Sequence, residues 1–153
     1  MSRVADLVAE LEAAHDAFHD ALAQVDLALV TVPGVVDEWS VRDLVVHIAF
    51  WSEHGADAIE RATSGSGADF DYSTDDTDAI NARVFANAQQ TDPRAALDRE
   101  EAAIDRFRER LAALDHELLG LRLGNGDTVE EVVRYDGPDH YAEHAAHLRD
   151  ATR

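Results

Sequence analysis

The sequence predicts an all-α fold, an up-and-down four-helix bundle with one or two short extra helices, and three observations carry that prediction. Apolar residues recur at spacings of three and four through four long segments. Helix-starting Ser, Thr and Asp-Pro signals stand where segments open, and Pro- or Gly-containing breaks stand where they close. No alternating apolar and polar run persists long enough to make a strand. With 153 residues and 46% hydrophobic content, residues 1–153 read as one domain able to bury a core.

The elements follow in order. Ser2 is placed to cap a first helix whose stripe runs through Val4, Leu7, Val8, Leu11, Phe18, Leu22, Val25 and Leu29, ending before Pro33-Gly34. Ser40 starts a second helix, with Asp43 in its favourable first turn and Leu44, Val45, Ile48, Trp51, Gly55 and Ile59 on the buried side. Ser64-Gly65-Ser66-Gly67, continuing to about Asp75, reads as an exposed loop within the domain. A short helix from about Asp76 to Gln89 carries Ile80, Val84 and Phe85. Asp92-Pro93 restarts the chain, because proline fits the first helical position, and Leu97, Ile104, Phe107, Leu111, Leu114 and Leu118 line one face of the next helix. Gly120, Gly124, Asn125 and Gly126 interrupt it, Thr128 to Glu131 has capping-box spacing for a short helix, and Asp136-Gly137-Pro138 leads into a last helix ending near Ala151.

Charge narrows the function classes. The formal net charge is −19, with no lysine and acids outnumbering bases 32 to 13, so nucleic acid and anionic membrane surfaces would be repelled. The acids are spread along the chain, as in a halophilic-type surface adapted to a salt-rich cytoplasm. A coding bias that replaces Lys by Arg is the alternative origin. No apolar run approaches a membrane span, and the charged N-terminus lacks a signal-peptide pattern, which makes a cytoplasmic protein the expectation. With no cysteine, disulfides, thiolate ligands and a cysteine nucleophile are excluded, so thiol chemistry would need a thiol brought by a co-substrate.

Eight histidines in so acidic a chain remain to be explained. His140 and His144 lie four apart on one helical face, where Cβ atoms are about 5–6 Å apart and both rings can reach one metal. His147 continues that face, and a solvated polar stripe is the competing reading. His47 falls on or beside the stripe of the second helix; it is either a hydrogen-bonded core residue or, if the last helix packs there, a third ligand. His15 and His19 form another such pair bordering the first stripe, either ligands or rim residues, while His54 and His116 read as partly exposed. Glu143 is a candidate general base, or one more surface acid. Asp136 and Asp139 either orient an imidazole or cap the last helix. Trp39, Trp51 and Tyr141 read as packing residues, Tyr141 with a hydroxyl it can lend to a pocket.

The stretch from Asp37-Glu38-Trp39-Ser40 through Asp43 and His47-Ile48 to Trp51 resembles the segment that opens helix two in DinB-like proteins (YfiT-type), and His140-Tyr141-Ala142-Glu143-His144 resembles their last-helix ligand pair. With the helix order, the likeness spans nearly the whole chain. It implies a four-helix bundle holding a divalent metal (zinc, nickel or manganese) on His47, His140 and His144. Relatives include thiol S-transferases using bacillithiol or mycothiol and a mycothiol-dependent maleylpyruvate isomerase, which imply a low-molecular-weight thiol as co-substrate and a small-molecule substrate. By analogy, a homodimer through bundle faces is also implied.

Two functional readings follow. The first is a metal-dependent enzyme of the thiol S-transferase or hydrolase type acting on small electrophiles. The alternative is a metal-free bundle that binds or sequesters a small molecule, in the manner of self-resistance proteins. A third reading, a structural helical partner, calls for an apolar exposed face instead of a pocket.

Overall fold

The computed structural model describes residues 2–72 and 76–152. Its helices are α1 (Arg3–Leu22), α2 (Val41–Ser64), α3 (Thr77–Ala88), α4 (Pro93–Ala112), α5 (Val129–Asp136) and α6 (Pro138–Ala151). No strand forms among the described residues, where only isolated bridges join Val36 to Trp39 and Arg122 to Thr128.

The helix starts have the chemistry their sequences suggest. The Ser2 hydroxyl accepts from the Ala5 amide. Ser40 and Asp43 exchange bonds across the first turn of α2, and Thr128 and Glu131 do the same for α5. Asp92 caps α4 ahead of Pro93. At the far end of α2, Gly65 takes the left-handed conformation (φ 83°) that closes a helix at little steric cost.

Two helices stop short of their apolar stripes. α1 ends at Leu22, leaving Val25 and Leu29 outside it, and α4 ends at Ala112, leaving Leu114 and Leu118 outside. In each case an Asp follows the stop and captures a local amide. Asp26 accepts from Ala28 N, Asp115 from Glu117 N, and a 3₁₀ turn forms at Leu27–Leu29 and at His116–Gly120. The segment expected as an exposed loop after Ser64 is partly internal: Gly67 and Phe70 are buried, and the Gly124 amide donates to Gly67 O. The last part of that loop, residues 73–75, lies outside the described residues.

The four long helices form the bundle, with one difference in connectivity from simple alternation. Arg99 pairs with Glu53 and Arg106 with Glu60, both across a separation of 46 residues, so α4 runs parallel to α2. α3 lies between them in the chain order. Leu11 packs on Gly137 and Phe18 on Tyr141, so α6 runs parallel to α1. The order is therefore up, down, down, up. A continuous core runs between them, including Leu7, Leu11, Phe18, Leu44, Ile48, Ile59, Ile104, Phe107, Leu111, Tyr141 and Leu148. Gly55 allows α2 and α4 to approach closely: a Cβ there would lie 2.6 Å from Phe107 Cζ.

Candidate metal centre

α2 and α6 run antiparallel across this core, and their contact brings His47 to His140 and His144. His47 sits on the buried side of α2, one turn after Asp43 and one before Trp51, while α6 presents His140 and His144 one turn apart. The Nε2 atoms of His47 and His140 are 2.9 Å apart. The three ring centroids lie 4.6–5.1 Å from one another, and one ligating atom from each ring lies within 4.8 Å of the others. His147 is not in this group; its Nδ1 lies 3.1 Å from His144 Nδ1, which leaves His144 Nε2 for the centre. His147 therefore lies against His144, beside the group of three.

Burial sets the protonation state. It lowers His47 to about 4, and burial with the neighbouring His47 and His147 lowers His144 to about 3. Burial, then His144 and His47, push His140 well below the ordinary imidazole value. Three neutral imidazoles therefore face one another at pH 7, the form in which histidine binds metals.

The donor set fits a divalent transition metal by its chemistry: three neutral imidazoles, each with a nitrogen within 4.8 Å of the others. Nδ1 of His47 and of His140 are buried without a partner among the described residues. If the two Nε2 atoms share one proton, one ring donates it, and the other must carry its own proton on the unpartnered Nδ1. A cation accepting both Nε2 lone pairs would put a proton on each Nδ1, and imidazole nitrogen suits zinc and nickel.

The centre opens into a cavity of about 350 Å³ that Trp51, Tyr72, Thr77, Asn81, Tyr135, Asp136 and Glu143 also line. Asn81 Oδ1 accepts from the Trp51 indole at 2.9 Å, fixing that wall. Glu143 is exposed at the rim, free of any ordering bond to the three histidines. Asp136 does not cap the last helix: it is buried and its Oδ2 is 2.5 Å from His54 Nδ1. Burial pushes the Asp136 carboxyl up to about 6 although His54 draws it down. His54 is partly exposed as expected, with a side chain 12% accessible. His116 is exposed as expected, and Asp139 lies on the exposed face of α6.

Sequence reasoning did not single out Glu100. It is completely buried in α4, with His19 Nε2 at 2.5 Å from Oε1, His15 Nε2 at 3.6 Å from Oε2, and the Tyr141 hydroxyl donating to Oε2 at 2.7 Å. Burial would raise its carboxyl, but the bonds from these side chains outweigh that and hold it at about 2. His15 and His19 are therefore not merely rim residues. Tyr141 packs in the core as expected, and its hydroxyl donates to Glu100.

No helix among the described residues is long and apolar enough to cross a membrane. No curated protein and no solved structure matches the chain. Residues 11–152 match the family model of the mycothiol maleylpyruvate isomerase N-terminal domain, and the chain belongs to that family, within the DinB-like superfamily.

Proposed function

We propose that this chain is a divalent-metal-dependent enzyme that joins a low-molecular-weight thiol of the mycothiol class to a small electrophile. The observation that carries the reading is the buried group of three neutral imidazoles opening into a cavity of small-molecule size. His47, His140 and His144 would hold the ion, with zinc, nickel or manganese as candidates. A bound ion supplies Lewis acidity, which lowers the pKa of a thiol or water reaching it.

The remaining work falls to the chain's own groups. Trp51 and Tyr72 wall the cavity and limit water around the reacting atoms. Glu143 stands at the rim, where a carboxylate can take the thiol proton and pass it to solvent. His147 keeps the His144 ring turned so that Nε2 faces inward. The family match supports the thiol, since the chain has no cysteine of its own.

The test is turnover of maleylpyruvate or another small electrophile with mycothiol, by protein reloaded with each metal in turn. Thiol-dependent turnover abolished by a chelator and reduced at least a hundredfold by His144→Ala is the expected result. Turnover indifferent to both would contradict the proposal.

A second reading has its own support. A second cavity, of about 640 Å³, lies away from the three histidines between α1, α2 and α4, with walls that include Leu22, Val25, Val41, Val45 and Ile104. Such a cavity suits an apolar small molecule bound without chemistry. Binding that is unaffected by His47→Ala and His144→Ala would favour it.

A further inference from the structure

The floor of the larger cavity is polar, and its composition is specific. His15 and His19 lie one turn apart on α1 and both border the cavity, as does Glu100 from α4. The two imidazole rings are 4.3 Å apart, and one ligating atom from each of the three residues lies within 4.8 Å of the others. We propose that His15, His19 and Glu100 form a second divalent-metal site, separate from the three-histidine centre and opening into the apolar cavity between α1, α2 and α4.

Two imidazoles and one carboxylate make the ligand set of non-haem ferrous sites, which leave positions open for a substrate. The carboxylate is already held for that role. Tyr141 donates to Oε2, and the Ser52 hydroxyl, 3.4 Å away, in turn reaches the Tyr141 oxygen. Outer hydrogen bonds of this kind orient metal-binding carboxylates. The charge also favours a cation. Glu100 has no accessible surface, and the side chains that reach it are two histidines and a phenol, none of them a permanent positive charge. A divalent ion coordinated there neutralises the buried carboxylate and opens the close His19–Glu100 contact to metal-ligand spacing. The accessible part of the His19 side chain, 38%, gives an ion a route in. The remaining positions would face a cavity whose wall is mostly aliphatic, so the organic ligand would be an apolar molecule with one metal-binding oxygen.

A competing arrangement uses the same atoms: a proton on His19 paired with Glu100 and no metal. Cobalt(II) binding separates the two, and it is measured in the His47→Ala/His144→Ala protein, which lacks the first site. The folded double variant should bind about one cobalt per chain, with a d–d absorption band, and adding His15→Gln should remove both. No cobalt taken up by the folded double variant, or uptake unchanged by His15→Gln, would overturn the proposal. Should the double variant fail to fold, anomalous diffraction at the cobalt edge on wild-type crystals decides. A peak beside Glu100 is expected, and its absence overturns the site. Failure of the three-histidine centre would look different, as cobalt uptake equal in wild type and double variant.

Discussion

At the residue scale, the three imidazoles are set apart by what burial has done to their protons. A surface imidazole titrates near 6.5, so a site of three such groups would lose metal steeply in mild acid. His47 and His144, lowered to about 4 and about 3, stay neutral well below that, and His140 shifts the same way. Metal affinity should therefore fall by less than about twofold between pH 7 and pH 5.5, where three unshifted imidazoles would lose roughly several hundred-fold. Isothermal titration with zinc across that range checks it, and a steep loss would mean the rings are not buried as described. Glu100 shows the opposite sense. Its carboxyl is lowered from 4.5 to about 2, so its stabilisation is present above pH 4.5 and disappears as pH falls through 2. Glu100→Ala leaves His15, His19 and Tyr141 without their common partner and should cost about 1–3 kcal/mol at neutral pH, read by urea unfolding. The HxxxH spacings were legible in the chain, but Glu100 was one acid among 32, and only the meeting of α1, α4 and α6 marks it.

At the scale of elements, helix starts were easier to read than helix ends. Ser40-Asp43 and Thr128-Glu131 announce their helices because a cap is a local bond between residues three apart. The ends of α1 and α4 are hidden because the apolar spacing continues past them, while Asp26 and Asp115 turn the backbone into 3₁₀ turns. The parallel course of α2 and α4 was equally hidden, since periodicity reports which face is buried and not which direction the chain returns. The contact between those helices depends on Gly55. Gly55→Ala would place a methyl 2.6 and 2.8 Å from the Phe107 ring and 3.2 Å from Asp136 Cβ, with core on every side of that ring. Overpacking of this kind should destabilise the protein by about 1–3 kcal/mol, despite the higher helix propensity of alanine. Thermal unfolding of the variant tests it, and a gain in stability would contradict so close an approach.

For the whole molecule, the dominant feature is a net charge of −19 on a small bundle. Arginines reach across elements to acids, as in Arg3–Glu130, Arg134–Glu10, Arg99–Glu53 and Arg106–Glu60, but exposed pairs of this kind contribute little each. Self-repulsion should outweigh them, so the melting temperature should rise as salt goes from about 0.01 M to about 1 M and the Debye length falls from roughly 30 to roughly 3 Å. A melting temperature that falls with salt would show that the bridges dominate. The charge also bears on function, because a cation entering either histidine group is drawn by the field of the entire chain, while an anionic thiol must be bound against it. The central claim is that one divalent ion joins α2 to α6 through His47, His140 and His144. Anomalous diffraction at the metal edge, from crystals grown with zinc, nickel or manganese, tests it most directly. The expected result is a peak about 2.0–2.1 Å from one nitrogen of each ring, absent in His144→Ala. Density showing the three rings in place, with no peak among them for any of the three metals, would contradict it.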